Sequence, residues 1–189
     1  SRTITPGRMK HIHYYIIAIV MTVVLVACGD EGNRFSSYHC NLTIDNSKHL
    51  NAVLASAMDA NNAGTFCIIG FTLNSQGLTS TSIFNAIDDR MKMQEHIGMN
   101  GRLIVGYSNM EYPPVFYAYD GECPNCFDLN ALPMRSYPLS IDSKGTATCA
   151  HCHRQYRLNQ GGFVANNTGN HLTEYRADPP QPHGVLRVY

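Results

Sequence analysis

Two cysteine pairs govern what this chain can fold into. Cys123 and Cys126 stand in "GECPNCF", Cys149 and Cys152 in "TCAHCHRQY", and together they spell C-x2-C-x22-C-x2-C. A gap of two residues lets both sulfurs of a pair face one ion from a tight turn, and two such turns close a tetrahedral thiolate site. The fold must therefore bring two separate loops to one point. Pattern alone does not choose the occupant, because tetrahedral sulfur suits zinc, a single rubredoxin-like iron or an iron–sulfur (2Fe-2S) cluster. Two disulfides and four unligated thiols are the remaining readings. Structural zinc is preferred among them. His151 and His153 flank the second pair. Each is a candidate for a supporting group or an alternative ligand, and its plainer reading is an exposed loop histidine.

The frame around these loops reads as β. From residue 101 onward, "RLIVGYS", "VFYAYD", "RSYPLSI", "TATC", "QYRL", "HLTEYRA" and "VLRVY" are short strands separated by Gly, Pro, Asn and Asp turns. That is the signature of a small antiparallel β-domain over 101–189. Residues 38–100 read as an α/β elaboration before it. "YHCNLTIDN" predicts a strand over 38–46. The helical spacing of Leu50, Val53, Leu54, Ala57 and Met58 predicts one helix, capped at Asn46 or Ser47 and stopped by "NNAG" at 61–64. "TFCIIGFTL" predicts a buried strand over 65–73. Residues 79–98 are ambiguous between helix and loop.

The order of "VFYAYDGECPNC", "CAHCHRQYRLNQGG" and "HLTEYRA" resembles the Rieske ferredoxin domain, over residues 101–189 only. The resemblance implies a mainly β fold with two metal-binding loops, with Cys123 and Cys149 as the two cysteine ligands. It places Asn125 and Cys152 where that family carries its two histidine ligands. Without those imidazoles a cluster would lack what raises a Rieske potential. The loops therefore read as a Rieske-like frame rebuilt as a four-cysteine, zinc-ribbon-like site. Zinc has no redox chemistry, and four thiolates leave it no open coordination position. Such a site is structural, and the chain reads as an envelope module and not an enzyme. The alternative is a Rieske-type electron-transfer protein.

Residues 1–27 read as a signal peptide, with 1–8, ahead of Met9, as an over-extended start. The apolar run 14–27 has the length of a signal core and falls short of the roughly 20 residues a spanning helix needs. It ends in "LVACGD", which resembles the lipobox of bacterial lipoproteins and implies lipidation at Cys28, with a polar tether over 28–37. An ordinary cleaved signal and a single-pass anchor are the lesser readings. Gly29 after the cysteine argues against inner-membrane retention, and Asp30 and Glu31 resemble surface-export signals of Bacteroidota lipoproteins. The expected place is extracytoplasmic, at the outer membrane, with an unidentified protein partner. No nucleic-acid partner is expected: the net charge is zero and Lys/Arg form no run. Cys40 and Cys67 are the remaining pair, read either as a disulfide or as buried thiols. Met91, Met93, Met99 and His96 are soft ligands suited to copper(I), though such a run more often packs inward. The sequence contains no Ser-His-Asp or paired-carboxylate arrangement above chance.

Overall fold

The structure, a computed structural model, describes residues 34–38, 40–74, 77–80 and 97–189. The signal run, Cys28 and most of the methionine-rich segment, including His96, lie outside the described residues. Phe35–Tyr189 forms one compact unit. It is mainly β, with antiparallel sheets throughout.

Strand β1 (Leu42–Asp45) leads into two short helices, α1 (Asn46–His49) and α2 (Ala52–Ala57). Strands β2 (Phe66–Asn74) and β3 (Gly77–Ser80) follow, then β4 (Arg102–Tyr107) and β5 (Phe116–Asp120). Next come β6 (Leu139–Ile141), β7 (Thr146–Cys149), β8 (Gln155–Arg157), β9 (Phe163–Val164), β10 (Glu174–Tyr175) and β11 (Val185–Val188). They assemble as a five-stranded sheet in the order β10-β5-β4-β2-β3, a four-stranded sheet β6-β7-β8-β9, and the pair β1-β11.

Pleating assigns the faces. Side chains alternate along a strand, so β4 sends Leu103 and Val105 into one apolar cluster and Ile104 into the other. Strand β5 divides likewise, Phe116 and Ala118 against Tyr117 and Tyr119. The first cluster is closed by Leu42, Ile44, Leu186 and Val188 from β1 and β11 and by Leu54 and Met58 from the helical segment. The second is closed by Leu139, Ala147, Cys149 and Tyr156 from the four-stranded sheet. A sheet covered on both faces reads as a continuous apolar run, and every residue of β5 is buried, including Asp120.

Two expectations change. Residues 46–58 do not form one helix: Leu50 adopts a left-handed conformation with φ of 50° and is 68% exposed. Asp45 caps α1 and Asn51 caps α2, so an Asx cap interrupts a pattern that looked continuous. Buried Asn46 fixes the break. Its amide donates to Asn51 O at 3.2 Å and Pro182 O at 2.7 Å, and its oxygen accepts from Asn51 N at 3.0 Å. The boundary drawn at residue 100 is also not a structural one, because β2 pairs with β4 along Phe66–Gly70 inside the five-stranded sheet. The seven strands read from residue 101 onward all appear within their segments.

Candidate metal centre

The first knuckle begins where β5 leaves the central sheet. Asp120 and Glu122 lie on either side of Gly121, both buried, and both are held by donors. Asp120 accepts from Met99 N at 2.7 Å, Glu122 N at 2.8 Å and the Tyr175 hydroxyl at 2.7 Å. Glu122 accepts from Asn100 Nδ2 at 2.7 Å, Ser136 Oγ at 2.6 Å and Tyr137 N at 2.6 Å. Buried carboxylates are expensive without such partners. These two fix the chain immediately before Cys123. Burial nevertheless pushes the Asp120 carboxyl up to about 6 against its three donors.

From Cys123 the chain turns tightly: Cys126 N and Phe127 N both donate to Cys123 O, at 3.1 and 2.9 Å. The second knuckle is the turn between β7 and β8, with His153 N donating to Cys149 O at 3.0 Å and Cys149 N to Arg154 O at 3.0 Å. His153 takes a positive φ of 57° to close it.

All four Sγ atoms of Cys123, Cys126, Cys149 and Cys152 lie within 4.8 Å of one another. Cys123 Sγ is 3.8 Å from Cys152 Sγ, and Cys149 Sγ is 4.0 Å from Cys126 Sγ. Four sulfurs each ~2.3 Å from a central zinc stand about 3.8 Å apart at the corners of a tetrahedron. The donor set and its spacing therefore fit one tetrahedral ion. The thiols differ in their readiness to ionise. Burial raises Cys123 to about 11 and moves Cys126 in the same direction. Burial also opposes ionisation of Cys152, but hydrogen bonds from the Arg154 backbone and side chain, together with the Cys126 and Cys149 thiols, bring that thiol down to about 6.

A third loop, 166–170, braces both knuckles. Asn125 donates to Asn170 O and accepts from Asn170 N, each at 2.9 Å. Arg154 Nε donates to Thr168 O at 2.9 Å, and Asn166 Nδ2 donates to His153 O at 2.9 Å. Asn125 Nδ2 also donates to the Tyr156 hydroxyl at 2.9 Å, and that oxygen lies 3.1 Å from Cys123 Sγ. A metal-bound thiolate carries no proton, so with an ion in the site the phenol would be the donor of this pair. Asn125 thus acts as a scaffold.

The four cysteines read from the spacing are brought together. Neither histidine joins them: His151 stacks on Tyr137 with ring centroids 4.3 Å apart, and His153 contributes its backbone. Cys40 and Cys67 are buried thiols with no disulfide between them. Cys40 is bridged to Ile97, and Cys67 stands opposite Val105 of β4. Burial alone raises Cys67 to about 12. Spacing did not single out Glu122, Arg154, Tyr156 or Asn170. The only sequence signal for Glu122 is an acid wedged between a glycine and a knuckle cysteine. Among the described residues, no helix is long and apolar enough to cross a membrane. Comparison of the chain with protein-family models, curated proteins and solved structures finds no match in any of the three.

Proposed function

We propose that this chain is a lipid-anchored cell-envelope protein whose four cysteines hold one metal ion, zinc in preference to iron, in a closed structural centre. The observation that carries the reading is the convergence of four sulfurs from two loops at tetrahedral spacing. Cys123, Cys126, Cys149 and Cys152 would hold the ion, and the ion would supply a cross-link between loops that are otherwise joined by hydrogen bonds and apolar packing. A site formed only in the folded state contributes its binding free energy to folding. Four thiolates complete zinc's coordination, which favours a structural or interaction module over an enzyme. Two cysteine turns at one end of a small antiparallel sheet, packed on a larger one, support a Rieske-like frame for it. The anchor rests on "LVACGD" and Cys28.

The second reading is an iron–sulfur electron carrier. It is favoured by the Tyr156 hydroxyl beside Cys123 Sγ, since hydrogen bonds to ligand sulfurs help set a cluster's potential. Two features weigh against it. By the resemblance, Asn125 and Cys152 stand where the two histidine ligands would be, and sulfurs this close enclose one ion. A two-iron cluster interposes two metals and two sulfides between its cysteine pairs.

Elemental analysis with a visible spectrum on anaerobically purified protein decides between them. One colourless zinc per chain is the expected result, and iron with thiolate charge-transfer bands would establish the second reading. Protein that binds neither metal would defeat both. Cys149→Ser should lose the ion and lower Tm by on the order of 10 °C. An unmoved Tm would show that the centre is not structural. For the anchor, the intact protein should enter the detergent phase on Triton partition, and Cys28→Ser should stay in the aqueous phase.

A further inference from the structure

The four thiols are unequal in their access to solvent. Cys123 and Cys149, which open the knuckles, are fully buried, whereas Cys126 and Cys152, which close them, are half-buried. Two thiol–thiol contacts at the centre run between the knuckles. One joins Cys123 to Cys152 at 3.8 Å, and the other joins Cys149 to Cys126 at 4.0 Å. Each contact thus pairs a fully buried cysteine with a half-buried one.

We propose that, in the metal-free site, oxidation staples the two knuckles to each other, as Cys123–Cys152 and Cys126–Cys149, and closes neither C-x2-C pair on itself. The inference deepens the metal-centre reading and rests on the same four thiols. The oxidant is a peroxide. A half-buried thiol, Cys152 or Cys126, attacks one peroxide oxygen: the O–O bond breaks, an S–O bond forms and water leaves, giving a sulfenic acid. The buried partner's sulfur then attacks the sulfenic sulfur. The S–S bond forms, the S–O bond breaks, and the hydroxyl departs with the partner's proton as a second water. Two thiols lose two electrons and one peroxide becomes two waters for each disulfide. Because the partners already face each other, the sulfurs have only to close to ~2.05 Å. The crossed bonds would hold the same two loops that the ion holds. Oxidative loss of metal would then leave the knuckles tied, whereas closure within each C-x2-C would let them part.

Tryptic mapping of the full chain tests this. Metal content is measured first; the protein is then stripped with a chelator, treated with hydrogen peroxide, alkylated and digested without reductant. Cleavage at Arg102, Arg135, Lys144 and Arg154 gives peptide 103–135 with Cys123 and Cys126, and peptide 145–154 with Cys149 and Cys152. The expected product is the two peptides joined in one species, four hydrogens lighter than their reduced sum, with fragment ions placing Cys123 on Cys152. Cys126→Ser should leave Cys149 alkylated and the Cys123–Cys152 link intact. Separate peptides with internal disulfides would overturn the proposal. So would a Cys123–Cys149 link, sulfinic acids, or four alkylated thiols. Protein isolated without metal that forms the crossed links would defeat the metal reading alone. Metal-bound protein that forms internal links once stripped would defeat only this inference.

Discussion

The Tyr156 hydroxyl accepts from Asn125 Nδ2 and lies 3.1 Å from Cys123 Sγ, to which it would donate once that sulfur is a metal-bound thiolate. Tyr156→Phe keeps the buried ring and removes that donor. The expected cost is about 0.5–1.5 kcal/mol, the usual net contribution of a hydrogen bond, or a fall in Tm of a few degrees. Metal content should stay at one ion per chain. Loss of the ion would mean that the hydroxyl shapes the site itself. Asp120 makes a second prediction, with a sign that follows from its burial. Its carboxyl titrates near 6 in the folded chain, against an ordinary 3.8. A folded-state value above the unfolded one stabilises the protein fully below the unfolded value, and that stabilisation is lost as pH rises through the folded value. Stability should therefore decline from about pH 4 to about pH 7, by up to ~3 kcal/mol for a shift of this size. Asp120→Asn should flatten the slope of Tm against pH over that interval. Parallel slopes in the two proteins would assign the dependence to another group.

At the scale of elements, the brace loop matters most. Gly169 has a φ of 151°, and a methyl group there would lie 2.6 Å from Asn125 Oδ1 and 3.0 Å from Arg154 Nε. Both atoms are committed to hydrogen bonds, so neither moves without loosening a knuckle. Gly169→Ala should cost about 1–3 kcal/mol, as overpacking does, and should speed metal loss to a competing chelator. Gly184→Ala, where the nearest atom is 3.3 Å away, should change chelator kinetics little. Equal effects would remove the brace from the account. This loop was illegible in the sequence because asparagine-rich turns carry no periodicity, and its partners lie far along the chain. The knuckles were legible because ligand spacing is local, as were the strands after residue 101, marked out by their turn residues. The helix at 46–58 was legible only in part. The spacing correctly buries Leu54, Ala57 and Met58, but Leu50 lies in the break set by Asn46 and Pro182, and Val53, though inside α2, is exposed.

On the scale of the whole unit, the change of character at residue 101 suggested a boundary because composition reports local texture and not pairing. The ladders cross that point: β2 lies against β4, and β1 against β11. A fragment of residues 101–189 would leave β4 without a neighbour on one side and strip Leu54, Met58, Cys67 and Ile69 from the first apolar cluster. It should show no cooperative melting transition, whereas residues 35–189 should melt in one step. A cooperative transition in the fragment would restore the boundary. The β1–β11 pairing also sets an order of events. Leu42 meets Val188 and Asp45 meets Val185, so residues near the beginning of the unit wait for partners near its end. Contacts of such long sequence separation form late and make folding slow. A ribosome releasing this chain from its N-terminal side would hold β1 unpaired until β11 emerged. Until then the first apolar cluster lacks Leu186 and Val188, and the side of the core that β1 and β11 close stays open to water.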